Sequence, residues 1–249
     1  MNKRPVSYLQ TDPRWASKDY SAPSGESKKR TIGSSGCGPT CAAMLIETIT
    51  GKTFTPADAC AWSLKHGYKA PNQGTYYSYF APQFKAHGID CQQLNWNNVY
   101  GKPSDPVHKK ALDLLKKGYY LIAVMGKGLW TSSGHFIVVW WEDGKVRIND
   151  PNSTKAARLN GDLSTFKKQV KYYWAIDARA YNNAKEETEE DDDMIYYKTL
   201  NDVPAPYKAA VTKAVKAGAL KGVGGNVLNV SEDMCRTLTV LDRLGVLDK

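Results

Sequence analysis

Two apolar runs, His135-Phe136-Ile137-Val138-Val139-Trp140-Trp141 and Val146-Arg147-Ile148-Asn149-Asp150, flank the short segment Glu142-Asp143-Gly144-Lys145. An Asp-Gly pair between two such runs is a strong hairpin signal, because the favoured two-residue turn needs positive φ at both central positions. With Asp143-Gly144 as the turn, Glu142 pairs with Lys145 and every later pair follows, so that Asp150 faces Ile137. Side chains alternate along a strand, and Ile137 therefore shares a face with His135. His135 and Asp150 become diagonal neighbours, about 7–8 Å apart between backbones and within side-chain reach. A four-residue loop keeps this register, whereas a three-residue loop would send one of the two to the opposite face. Pro151 stops the second run.

Upstream of the hairpin the periodicity is helical. After Pro39, apolar residues recur at Ala42, Leu45, Ile46 and Ile49, one buried helix face running from Cys37 to about Thr50. Thr55-Pro56-Ala57-Asp58 starts a second helix that reaches about Lys65; a third covers Ser78 to His87; a fourth covers Val107 to Lys117 and ends at Gly118. Residues 1–36 read as mostly irregular, Tyr68 to Tyr79 as an ordered loop and 95–105 as another loop. Tyr119 to Val124 and Val170 to Ile176 complete the set of strands. Helices first and strands afterwards predict an α+β domain rather than a doubly wound one.

Cys37 stands at the mouth of the first helix, between Gly36 and Gly38, with Pro39 one step inside. Unpaired N–H groups and the helix dipole favour a thiolate there. On that stretch alone a small buried cysteine opening a core helix fits equally well. An imidazole beside a carboxylate changes the balance, because cysteine, histidine and carboxylate together are what thiol hydrolysis requires. Gly134, just before His135, is expected to permit close approach to the Cys37 helix. Cys41, one turn deeper, is expected to pack. Cys37, Cys41, Cys60 and Cys91 lack zinc-ligand spacing, so no metal and no cofactor is expected. His66, His87 and His108 read as surface residues, and Tyr76, Tyr77, Tyr79 and Trp130 as either cleft lining or core.

Three stretches carry a family resemblance: Ser35-Gly36-Cys37-Gly38-Pro39-Thr40-Cys41-Ala42-Ala43-Met44, Ser133-Gly134-His135-Phe136-Ile137-Val138-Val139 and Ile148-Asn149-Asp150-Pro151. Their order and spacing resemble the papain-clan cysteine peptidases of the bacteriocin-processing (peptidase family 39-like) group, in its soluble, transporter-free branch. Leu9-Gln10-Thr11-Asp12-Pro13-Arg14-Trp15 is similar to that branch's opening segment. The resemblance spans roughly residues 5–176. It implies a papain-like fold with Cys37 as nucleophile, His135 as general base and Asp150 as the residue that orients it. Enzymes of this clan carry a glutamine shortly before the cysteine for the oxyanion hole, and residues 11–36 contain none. Gln10 is the candidate if the chain loops back. Trp130, Tyr76, Tyr77 and Gly134 are the candidate substrate contacts.

Charge divides the chain into three parts. Residues 1–180 carry 25 basic and 13 acidic groups, residues 181–193 carry 1 and 7, and residues 194–249 carry 8 and 5. The acidic run cannot bury apolar surface and repels itself, so it reads as a linker. It joins a catalytic domain, 1–180, to a small all-α module, 194–249. In that module Thr199 to Val203, Ala210 to Gly218 and Ser231 to Arg236, leading into Leu238 and Leu241, are similar to one S-layer-homology or endolysin wall-binding repeat, although the repeat's usual Thr-Arg-Ala-Glu stretch is missing. A basic body needs an anionic partner, yet the cations are scattered, with no basic helix or zinc-finger spacing to suit nucleic acid. No apolar run is long enough to cross a bilayer, and the N-terminus has no apolar core of a secretory signal. The expectation is a bacteriolytic cysteine hydrolase of phage or prophage endolysin type. It is made in the cytoplasm and acts at the cell wall on a peptidoglycan amide bond, with homo-oligomerisation through the module as an option. The alternatives are an intracellular peptidase acting on a leader or protein, and a wall-binding protein on a papain-like scaffold.

Overall fold

A computed structural model describes residues 3–94, 102–160, 162–179, 195–220 and 228–248. It divides into two compact units, Met1–Asn183 and Ala184–Lys249. The acidic run 181–193, read as a linker, lies outside the described residues, as does most of the loop expected at 95–105.

The first unit opens with a segment that holds one short helix, α1 (Ile32–Ser35), followed by α2 (Cys37–Thr50), α3 (Pro56–Lys65) and α4 (Phe80–Lys85). Next come β1 (Cys91–Gln93), α5 (Asp105–Lys116), β2 (Tyr119–Met125), β3 (His135–Glu142), β4 (Lys145–Asn149), α6 (Ala156–Leu159), α7 (Leu163–Gln169) and β5 (Val170–Asp177). Local chemistry sets the ends. Thr55 and Asp58 close a capping box on α3, with Pro56 at its first position, and Gly51 ends α2 in the left-handed region at φ 67°. The helix expected over 78–87 is instead a 3₁₀ turn at Tyr77–Tyr79 leading into α4.

The hairpin adopts the register argued from its turn. Asp143 and Gly144 have φ of 49° and 74°, and pairing runs from Glu142 with Lys145 to Val138 with Asn149. The antiparallel sheet has the order β1-β5-β2-β3-β4. Alternation then sorts its side chains. Tyr120, Ile122, Val124, Phe136, Val138, Trp140, Tyr172, Trp174 and Ile176 pack with α2 and α4. Leu121, Ala123, Met125, Ile137, Val139, Tyr173 and Ala175 pack with α5, α7 and Trp130. With both faces covered, the central strands read as continuous apolar runs rather than alternating ones.

Three expectations need correction. His108 is not a surface residue: it is 6% exposed, and its Nδ1 meets the Tyr173 hydroxyl at 2.9 Å under α5. Gly134 provides no close approach, since a Cβ there would meet nothing within 4 Å. The second unit is not all-α. Besides α8 (Ala205–Lys216) and α9 (Glu232–Arg243) it has a two-stranded ladder, β6 (Tyr196–Tyr197) with β7 (Val230–Ser231). Ser231 caps α9 by accepting from the Met234 N–H. Val203, Ala210, Val211, Ala214, Val230, Cys235 and Leu238 form this unit's own core.

The close approach belongs to Gly36 and Gly38. A Cβ on Gly36 would lie 2.7 Å from the Ile32 carbonyl oxygen, which is backbone and cannot swing aside. Gly36→Ala should therefore destabilise the first unit by about 1–3 kcal/mol, as overpacking does, and lower its thermal midpoint by several degrees. Gly134→Ala should stay within about 0.5 kcal/mol of the parent. Thermal unfolding followed by circular dichroism separates them, and equal midpoints would contradict the packing described here.

Candidate active site

The first turn of α2 lies against the start of β3. A Cβ on Gly38 would sit 3.3 Å from the Phe136 ring and from Thr75, so the bare backbone is what lets the two elements meet. Thr75 is itself fixed by Tyr20, whose hydroxyl bonds its Oγ1 at 2.7 Å and Ser63 Oγ at 2.8 Å. Cys37 is thereby presented, half-buried, at the first position of α2.

Burial pushes the Cys37 thiol up, but the hydrogen bond and charge of His135, with hydrogen bonds from the Phe136 and Gly38 backbone, outweigh it and hold the thiol below its ordinary value. His135 is only 6% exposed. Burial pulls its imidazole down, whereas the hydrogen bonds to Asp150 and Cys37 and their charges raise it further, to about 9. The two shifts, thiol down and imidazole up, both favour a thiolate–imidazolium pair. Nε2 of His135 meets Asp150 Oδ1 at 2.7 Å, which leaves Nδ1 for the sulfur. Cys41 differs in kind: burial and the charges of Cys37 and Asp150 push its thiol well up, and a protonated thiol is a poor nucleophile.

Asp150 is held from several sides. Its Oδ1 also accepts the Asn152 N–H at 2.8 Å, and its Oδ2 forms an ion pair with Arg158 Nε at 2.8 Å. Arg158 stands on α6 and was not singled out from sequence; a lone arginine in a short polar segment has no spacing that marks it. Its guanidinium donates to the Trp130 carbonyl, and the Trp130 indole N–H donates to the Arg158 carbonyl at 2.8 Å.

Gln10 does loop back. The N-terminal segment is strapped down as Tyr120 Oη donates to the Lys3 carbonyl, Asn149 Nδ2 to the Pro5 and Val6 carbonyls, and the Val6 N–H to Thr48 Oγ1. The Gln10 N–H then donates to the Pro151 carbonyl at 2.7 Å, and Nε2 to the Gly33 carbonyl at 2.8 Å. Gln10 is 4% exposed and lies between the Asp150 turn and the segment before Cys37. One of its two Nε2 hydrogens is spent on Gly33; the other is a donor still to be placed.

The aromatic candidates separate. Tyr76 is 46% exposed. Tyr77 packs edge-on against Phe136 and Trp174, and Tyr79 is fully buried. Trp130, at 2% exposure, packs against Phe166 and braces Arg158, so it stands behind the site instead of lining open surface. Gly134 is exposed with open space beside it. Among the described residues no group of three or more His, Cys, Asp or Glu side chains is placed to hold a metal ion, and no helix is long and apolar enough to cross a membrane.

Residues 17–182 match the Peptidase_C39 like family. No curated protein matches the chain.

The electrostatics make a pH-dependent statement. Iodoacetate should alkylate Cys37 faster at pH 6 than it alkylates an ordinary cysteine, because His135 holds the thiol below its usual value. In His135→Ala burial acts on the thiol without the opposing imidazolium, so the thiol rises and the rate at pH 6 should fall at least about tenfold, the factor for one unit. Mass analysis of the Cys37 peptide reads the rate; equal rates in parent and variant would refute the ion pair.

Proposed function

The chain belongs to the Peptidase_C39 like family, and from that we propose that it hydrolyses a peptide amide by covalent cysteine catalysis, with bacterial peptidoglycan as the substrate. The observation that carries the reading is the chain of contacts from Cys37 to His135 to Asp150, in which the thiol is lowered and the imidazole raised. The Cys37 thiolate attacks the carbonyl carbon, and the resulting oxyanion draws on N–H donors at the start of α2 and on the second Nε2 hydrogen of Gln10. His135 gives its Nδ1 proton to the leaving amine as the C–N bond breaks, which leaves a thioester on Cys37. Neutral His135 then takes a proton from water, hydroxyl adds to the thioester, and the released acid restores the thiolate and imidazolium. Asp150 holds the ring orientation throughout.

Two features support peptidoglycan over other peptides. Residues 1–180 carry a formal charge of +12 (25 basic less 13 acidic), which draws the enzyme to anionic wall polymers. A second compact unit, Ala184–Lys249, is suited to hold the wall while the first unit cuts, and tethering of this kind raises the local concentration of bonds.

Purified protein added to Gram-positive walls provides the test. Turbidity should fall with the parent and with Cys41→Ala and stay constant with Cys37→Ala, and mass spectrometry of the released fragments identifies the bond opened. Intact walls together with cleavage of a peptide panel would reject the wall reading and keep the peptidase. Hydrolysis that survives Cys37→Ala would sink both. Removing residues 184–249 should weaken wall binding by about tenfold or more, within the range that tethering gives, and leave turnover of a small soluble peptide within about twofold. Equal loss of both would mean that the second unit completes the first.

A further inference from the structure

We propose that Arg158 is a positioning residue for His135 and acts through Asp150. The Asp150 side chain has no exposure to water. Its Oδ1 is occupied by the His135 imidazole and the Asn152 N–H. Its Oδ2 faces the Arg158 guanidinium at 2.8 Å, and Arg158 is itself only 15% exposed. The same guanidinium reaches the carbonyl of Trp130, which lies in the segment joining β2 to β3, just ahead of His135. One planar fork thus fastens the segment leading into the histidine to the turn that carries the carboxylate. A lysine ammonium is a point charge and does not reproduce that two-sided geometry.

The charge has a second consequence. The titratable and charged groups that face the Asp150–His135 pair are Cys37 and, one turn deeper, Cys41 from α2, with Arg158 from α6; Tyr20 and Cys60 interact with Cys37 from the N-terminal segment and from α3. Arg158 is the permanent cation of this set. With it present, the Asp150 carboxylate has a counterion whether or not His135 holds its proton. Without it, imidazolium would be the carboxylate's single counterion and would hold its proton more tightly, while the thiolate would lose part of the positive field that favours it. Both changes move the pH window in which thiolate and imidazolium coexist upward.

The proposal rests on the reading of Cys37 and His135 as the reacting pair, and one experiment tests the two separately. Iodoacetate alkylation of Cys37 is followed against pH in the full-length protein. The rate rises as the thiolate forms and falls as His135 loses the positive charge that attracts the anionic reagent. A parent protein without this bell would reject the reacting pair itself. Given the bell, Arg158→Gln should move both limbs upward by about half a unit or more. Arg158→Lys should leave the limbs where the parent has them and lower the maximal rate by about three- to tenfold through misalignment. Circular dichroism establishes that each variant is folded. A folded Arg158→Gln protein whose limbs stay in place or move down overturns the proposal. So does an Arg158→Lys protein that matches the parent in rate, and this second criterion stands even if the glutamine variant does not fold.

Discussion

A carboxylate sealed from water must be balanced by what surrounds it, because an isolated buried charge is far too costly to retain. Asp150 meets that demand with an imidazole and a backbone N–H on one oxygen and a guanidinium on the other. Each partner arrives from a different element: His135 from the start of β3, Asn152 from the turn after β4, Arg158 from α6. Balancing one carboxylate therefore fixes the relative placement of three segments, and the histidine cannot turn without unbalancing the pair. The ring nitrogen presented to Cys37 is the one left over once Asp150 has been served.

The sulfur side depends on shape more than on charge. The start of α2 can carry a thiolate only if it lies near the imidazole, and Gly38 allows that contact by its lack of a side chain, while Gly36 lets α2 follow directly on α1. Gly36 clears the Ile32 carbonyl and Gly38 clears Phe136 and Thr75. Phe136 serves twice, with its ring in the core on the α2 face of the sheet and its backbone hydrogen-bonded to the sulfur. Core packing and the ionisation of Cys37 are thus set by the same residues.

How much of this could be read from residues alone follows from the range of each interaction. The adjacency of His135 and Asp150 was legible because a two-residue turn determines the parity of everything paired beyond it. The helix from Cys37 was legible from its apolar spacing. Arg158 was not, since its partners are a carboxylate and a main-chain carbonyl whose positions exist only after folding. The short strand β1, with the sequence Cys-Gln-Gln, has no apolar alternation to reveal it, and its identity comes from pairing with β5. His108 looked like a solvated histidine, yet the Tyr173 hydroxyl gives it a partner inside the protein. Gly134 misled in the opposite sense. Being next to the histidine in sequence suggested a steric role that belongs to Gly38, a hundred residues away in the chain.

The strap of residues 3–10 has a temporal meaning as well as a spatial one. Its first residues are held by Tyr120 and Asn149, and Gln10 by Pro151, separations of 117 residues or more along the chain. Contacts that span such distances close late, after the local elements they join. On a ribosome, residues 3–10 emerge before the rest of the unit, and Val6 can meet Thr48 and Gln10 can meet Gly33 early. The contacts to Tyr120, Asn149 and Pro151 wait until the hairpin and the turn beyond it have been synthesised. The Gln10 main chain is fastened to Pro151 only when nearly all of the first unit is present, and a truncated nascent chain carries Cys37 without the completed surroundings that the finished fold gives it.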